Sequence, residues 1–109
     1  MRRIGPYGLV VVSGRSMEPT LLDGDRLLVQ WGAPPAPGRV AVVRLAGGRP
    51  LAVKRLLRRE PEGWWVERDN PAEGIDSWAV GAVPDVDVLA VVVRRVWPPW
   101  PRRGTPAGS

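Results

Sequence analysis

Leu9-Val10-Val11-Val12-Ser13-Gly14-Arg15-Ser16-Met17-Glu18-Pro19-Thr20-Leu21-Leu22-Asp23-Gly24-Asp25-Arg26-Leu27-Leu28-Val29-Gln30-Trp31 is the stretch whose reading decides the fold. Leu9 to Val12 is short, rich in β-branched residues and bounded by glycines, the pattern of a buried strand. Ser16 to Leu22 contains Pro19, which limits it to one helical turn at most. Asp23-Gly24 signals a turn. Asp25 to Trp31 then alternates as a second strand. Two short strands joined by a tight polar turn predict a β protein.

The same pattern repeats outward. Gly32 to Gly38, with Pro34, Pro35 and Pro37, reads as a loop, Arg39 to Leu45 as a third strand, and Ala46-Gly47-Gly48 as a hairpin turn. Arg49 to Arg59 is a fourth strand. Pro61-Glu62-Gly63 turns the chain into a fifth, Trp64 to Arg68. Trp64 and Trp65 are adjacent, so a strand sends them to opposite faces. Asp69 to Ala79, with Pro71 and Gly74, reads as a polar loop. Val86 to Val96 is apolar on both faces and predicts a central strand. Six strands predict an all-β, small barrel-like domain over residues 1–96. Trp97-Pro98-Pro99-Trp100-Pro101 is expected not to extend a sheet, and 97–109 to form a flexible tail.

Composition narrows the chemistry. The 109 residues are 44% hydrophobic and 25% charged, ordinary for one globular domain. Histidine and cysteine are both absent, so disulfides, thiolate or imidazole metal sites and Cys- or His-based catalysis are excluded, and neither metal nor cofactor is expected. The net charge is +5, but blocks of like charge are short, so the arginine excess reads as compositional and no nucleic-acid partner is expected. No apolar run approaches the ~20 residues that span a bilayer. Met1-Arg2-Arg3 starts like a signal segment, but Gly5-Pro6-Tyr7-Gly8 interrupts it, so no membrane segment and a cytoplasmic location are expected. Trp97 and Trp100, beside Arg94, Arg95, Arg102 and Arg103, read either as a Pro-rich tail or as a patch for peripheral membrane contact.

With no histidine or cysteine, covalent hydrolysis would fall to a serine and a lysine. Lys54 is the chain's single lysine, set in the apolar run Leu51-Ala52-Val53-Lys54-Arg55-Leu56-Leu57. Arginine stays protonated and cannot act as a base, whereas a desolvated lysine can take a serine proton. Ser16, in its tight turn, is the candidate nucleophile.

Gly14-Arg15-Ser16-Met17-Glu18-Pro19-Thr20-Leu21, followed by Gly24-Asp25, resembles the serine box of type I signal peptidases. Val53-Lys54-Arg55 resembles their lysine box. Asp69-Asn70-Pro71 through Asp76-Ser77 and Gly81-Ala82-Val83-Pro84 is similar to their third box. Within the family, the single-domain length and Gly63-Trp64-Trp65-Val66 before the third box resemble the anchor-free branch of nickel-type superoxide dismutase maturation proteases. The resemblance implies a barrel-like β fold, Ser16 as nucleophile and Lys54 as general base. It implies that Gly14, Arg15, Met17, Pro19 and Thr20 shape the nucleophile turn and oxyanion site, and that Asp69, Asn70, Asp76 and Ser77 brace the loop beside the lysine. The expected partner is a protein or peptide bound extended at a strand edge. The sequence departs from the family at Gly14, where Gram-negative members carry an oxyanion-hole serine. It departs again at Gly74, in place of a lysine-orienting serine, and at Trp78, in place of the arginine that would pair with Asp76.

The same serine and lysine boxes occur in LexA-type self-cleaving domains, which share the fold. There the serine box usually lacks Pro-Thr and the Asp-Asn…Asp-Ser box is missing. The dozen or so residues before the serine box here are also short for the usual self-cleavage loop. A non-catalytic basic binding module, contacting its partner through the Trp/Arg tail, is the reading from another class; it leaves Lys54 and the Ser-Met-Glu-Pro-Thr turn unexplained.

Overall fold

The computed structural model describes residues 2–99. These form seven strands: β1 (Arg2–Ile4), β2 (Tyr7–Val11), β3 (Arg26–Trp31), β4 (Val40–Val43), β5 (Ala52–Glu60), β6 (Gly63–Glu67) and β7 (Val88–Trp97). A single turn of helix, α1 (Ser77–Val80), and a 3₁₀ turn at Asp85–Asp87 lie between β6 and β7. The strands join in one antiparallel sheet in the order β1-β2-β3-β7-β4-β5-β6. β7, the strand read as apolar on both faces, occupies the centre between β3 and β4. Register shifts where β7 meets β3 and β4 bend the sheet.

Period-2 alternation divides the interior into two cores. Val42 packs with Val12, Met17, Leu21, Leu27, Val29 and Ala90. Its neighbours Ala41 and Val43 point the other way, into Leu45, Leu56, Trp64, Val66 and Val83. β4 is thus covered on both sides, and each buried Val or Leu contributes roughly 1.5–3 kcal/mol. The adjacent tryptophans divide as expected. Trp64 joins the second core, while Trp65 turns outward to an edge contact with Trp78 and lies under Arg58, both centred 5.2 Å from its ring. Gly63 permits the close approach of the chain after α1. Its φ is +147°, and a Cβ there would come within 2.0 Å of the Val83 carbonyl oxygen, whose residue bridges to Trp64.

The structure corrects the sequence reading in three places. Arg2–Ile4, read as part of an interrupted signal-like start, forms β1 and pairs with β2. The loop from Asp69 to Ala79 ends in helix, with Asp76 as its N-cap accepting from the Trp78 amide. Trp97, assigned to the tail, is the last residue of β7 and pairs with Arg26, so the sheet runs past residue 96. Residues 100–109, the rest of the expected flexible tail, lie outside the described residues. Among the described residues no helix is long and apolar enough to cross a membrane.

Candidate active site

Ser16 stands in the turn between β2 and β3, and the core anchors that turn on both sides of it. Met17 and Leu21 are buried in the first cluster, and the Leu21 amide donates to the Met17 carbonyl at 2.9 Å. Asp23 accepts from the Gly14 amide at 2.7 Å, and Asp25 accepts from the Leu22 amide at 2.9 Å, closing the loop on itself. Gly14 has a φ of +88°, which its missing side chain makes inexpensive. Among the described residues the Ser16 amide donates to no acceptor.

Lys54 projects from β5, opposite Ala41 of β4. It is 3% exposed, and its Nζ lies 2.9 Å from Ser16 Oγ. As an ammonium it donates to the hydroxyl; as a free amine it would accept the hydroxyl proton across the same contact. Burial pushes the lysine below its usual range, Asp76 pulls it back up, and Arg68 adds to the lowering.

The remaining expected site residues gather here, with a different division of work. Asp69 and Asn70 brace the serine turn. Asp69 accepts from Thr20 Oγ1 at 2.6 Å, and the Asn70 amide donates to the Ser16 carbonyl at 2.8 Å while its Nδ2 donates to the Arg15 carbonyl at 2.8 Å. Arg55, next to the lysine, grips Asp69 with two nitrogens at 2.9 and 2.8 Å, tying β5 to the serine turn. That guanidinium, chiefly through its hydrogen bonds, holds the Asp69 carboxyl below the usual carboxylate range against the opposing effect of burial. Ser77 is committed elsewhere, accepting from the Val66 amide at 2.8 Å. Asp76 caps α1 and pairs with Arg68 at 3.5 Å, so it does have an arginine partner, supplied from ahead of the box. Pro19 lies in the turn itself. Gly74 packs directly on the dyad: a Cβ there would fall 2.5 Å from Ser16 Cβ and 3.3 Å from Lys54 Nζ, so no serine fits at this position.

The sequence marks Asp23 only as a turn residue and Arg68 only as a strand end, with no part in the site. The only signal for them was position: an acid ending the serine loop, and a cation immediately before Asp69.

The dyad opens into a groove of about 660 Å³. Val11, Leu45, Leu51, Val53 and Ile75 line it, with Arg15, Arg49 and Glu73 as charged members. Two strand edges face this space. β2 pairs with β1 only through Leu9, and β5 pairs with β6 only from Arg55 onward. Among the described residues, Val10 and Val11 on one side, and Ala52 to Lys54 on the other, therefore lack a ladder partner on that edge.

A one-sheet β fold holding a serine beside a buried lysine in an open groove is an arrangement that Ser/Lys hydrolysis would require. The family model described as Peptidase S24-like matches residues 2–93, and the chain belongs to that family of serine and self-cleaving peptidases. No match was found among curated proteins.

Proposed function

We propose that this chain is a serine endopeptidase that uses Ser16 and Lys54 to remove a short N-terminal segment from a precursor protein. The observation that carries the reading is the 2.9 Å contact between Lys54 Nζ and Ser16 Oγ at the floor of a substrate-sized groove. The neutral Lys54 amine takes the hydroxyl proton as Ser16 Oγ attacks the scissile carbonyl. The resulting ammonium gives that proton to the leaving amine as the C–N bond breaks. Lys54, neutral again, draws a proton from water as it attacks the acyl-enzyme, then returns that proton to Ser16 Oγ as the ester C–O bond breaks. The Ser16 amide is the available oxyanion donor. The Gly14 amide is committed to Asp23 and does not serve. No step calls for a metal or cofactor. The substrate enters extended and hydrogen-bonds to the free edges of β2 and β5.

The resemblance to the nickel-type superoxide dismutase maturation branch supports one particular substrate, the N-terminal pro-segment of such an enzyme in the cytoplasm. Incubation of the purified protein with that precursor, followed by sequencing of the new N-terminus, tests it. One defined cut that disappears in Ser16→Ala is expected. Cleavage only of membrane-inserted secretory precursors would move the assignment to ordinary signal peptidase. The family match also supports a second reading, self-cleavage. A cut within this chain, lost in Ser16→Ala and independent of protein concentration, would select it.

A further inference from the structure

Arg68 follows the last residue of β6 and opens the loop that covers the dyad, and its guanidinium collects that loop around one point. Nε donates to the Asn70 carbonyl at 3.1 Å, Nη2 to the Pro71 carbonyl at 3.0 Å and Nη1 to the Gly74 carbonyl at 3.2 Å. Nη1 also pairs with Asp76 at 3.5 Å, and the Arg68 amide donates to the same carboxylate at 3.3 Å. The residues so gathered are the ones that meet the site. Asn70 holds the Ser16 and Arg15 carbonyls, and Gly74 abuts Ser16 and Lys54. Only a planar fork with several donors can bind acceptors in so many directions; an ammonium at the end of a lysine cannot.

We propose that Arg68 is a positioning residue for the Ser16–Lys54 pair, holding the 69–76 loop closed on the dyad in place of the arginine that Trp78 displaces. The role rests on the peptidase reading above, but its physical content does not. Position 78 stands at the same carboxylate, since the Trp78 amide donates to Asp76 Oδ1 at 3.1 Å. The lysine's surroundings support the assignment. Asp76 and Arg68 act on its amine in opposite directions. Arg55 beside it is bound to Asp69, Arg15 and Glu73 at the groove pair with each other at 3.7 Å, and β4 presents the neutral Ala41. Loss of Arg68 leaves the Asp76 charge uncompensated next to the amine.

Lys54 is the only lysine, so ¹³Cε-lysine labelling gives a single side-chain resonance whose titration needs no substrate. In Arg68→Ala that titration is expected to move alkaline, and turnover of a cleavable precursor to fall at least about tenfold, with KM little changed. Arg68→Lys keeps the charge without the fork, so the titration is expected to stay near wild type while turnover still falls. Adding Trp78→Arg to Arg68→Ala is expected to recover both readouts in part. Wild-type turnover in Arg68→Lys would overturn the proposal. So would a Trp78→Arg addition that restores thermal stability but moves neither the titration nor turnover, since that marks a purely structural tie. If no peptidase activity is found at all, the titration series in Arg68→Ala and the double variant still decides whether Arg68 governs the lysine.

Discussion

At the scale of single residues, the dyad makes demands that separate chemistry from structure. Ser16→Ala is expected to abolish cleavage, and Lys54→Met to reduce it by about 10²–10⁴-fold or more, both as folded proteins. Lys54→Arg is expected to be nearly as inactive because a guanidinium keeps its proton. Near wild-type cleavage by Lys54→Arg, measured on the same precursor, would remove the lysine from the mechanism. The lowered affinity of Lys54 for its proton has two consequences of known sign. The rate is expected to rise with pH along a limb set by Lys54, since the free amine is the active form. Stability follows the same group. Below its folded-state titration the buried ammonium costs free energy. As pH rises toward ~10.4, the unfolded chain still binds the proton that the fold has released, so stability increases. Thermal melts from neutral to alkaline pH are expected to show this rise in wild type and not in Lys54→Met. A rate maximum in acid would point to a carboxylate base instead.

At the scale of elements, the Arg55–Asp69–Thr20 chain joins β5 to the serine turn. Asp69→Asn is expected to cost about 1.5–3 kcal/mol in denaturant unfolding, the range for hydrogen bonds to a charged partner. Because the folded carboxyl is held below its usual range, its contribution is complete above about pH 4 and is lost as pH falls through the folded value. The acid limb of the stability curve is therefore expected to flatten in Asp69→Asn. These partners also show where sequence reading stops. Ser16 and Lys54 were legible because their local patterns are distinctive and one lysine stands among arginines. The sequence placed Asp69 and Asn70 beside the lysine, but their ties to the serine turn were not legible, because they reach back 49 and 55 residues to Thr20 and Arg15. β1 escaped notice because three residues show no periodicity, and α1 because a four-residue helix after Pro71 and Gly74 resembles continued loop. The prolines that follow Trp97 make it read as tail. Yet a residue before proline favours the extended backbone of a strand, and that is where it lies.

At the scale of the whole molecule, six strands were legible because alternation and turn residues agree along most of the chain, and one sheet with two cores follows from them. In an antiparallel ladder alternate amides face alternate edges, which turns those of Val11 and Val53 toward the groove. An extended peptide is expected to protect these two amides from hydrogen exchange in Ser16→Ala, where it binds but is not cut. Protection spread evenly over the sheet, or absent from these two, would place the substrate elsewhere. The unpaired edges of β2 and β5 bear on turnover as well as recognition. A bound peptide would be the missing stave between them, held by one continuous ladder. Hydrolysis would saw that stave in two. Each half would keep only its own share of the rungs, and the two would no longer hold one another in place. On the proposed function the reaction would thereby loosen the grip on its products, and the open gap in the sheet would work as the exit as well as the entrance.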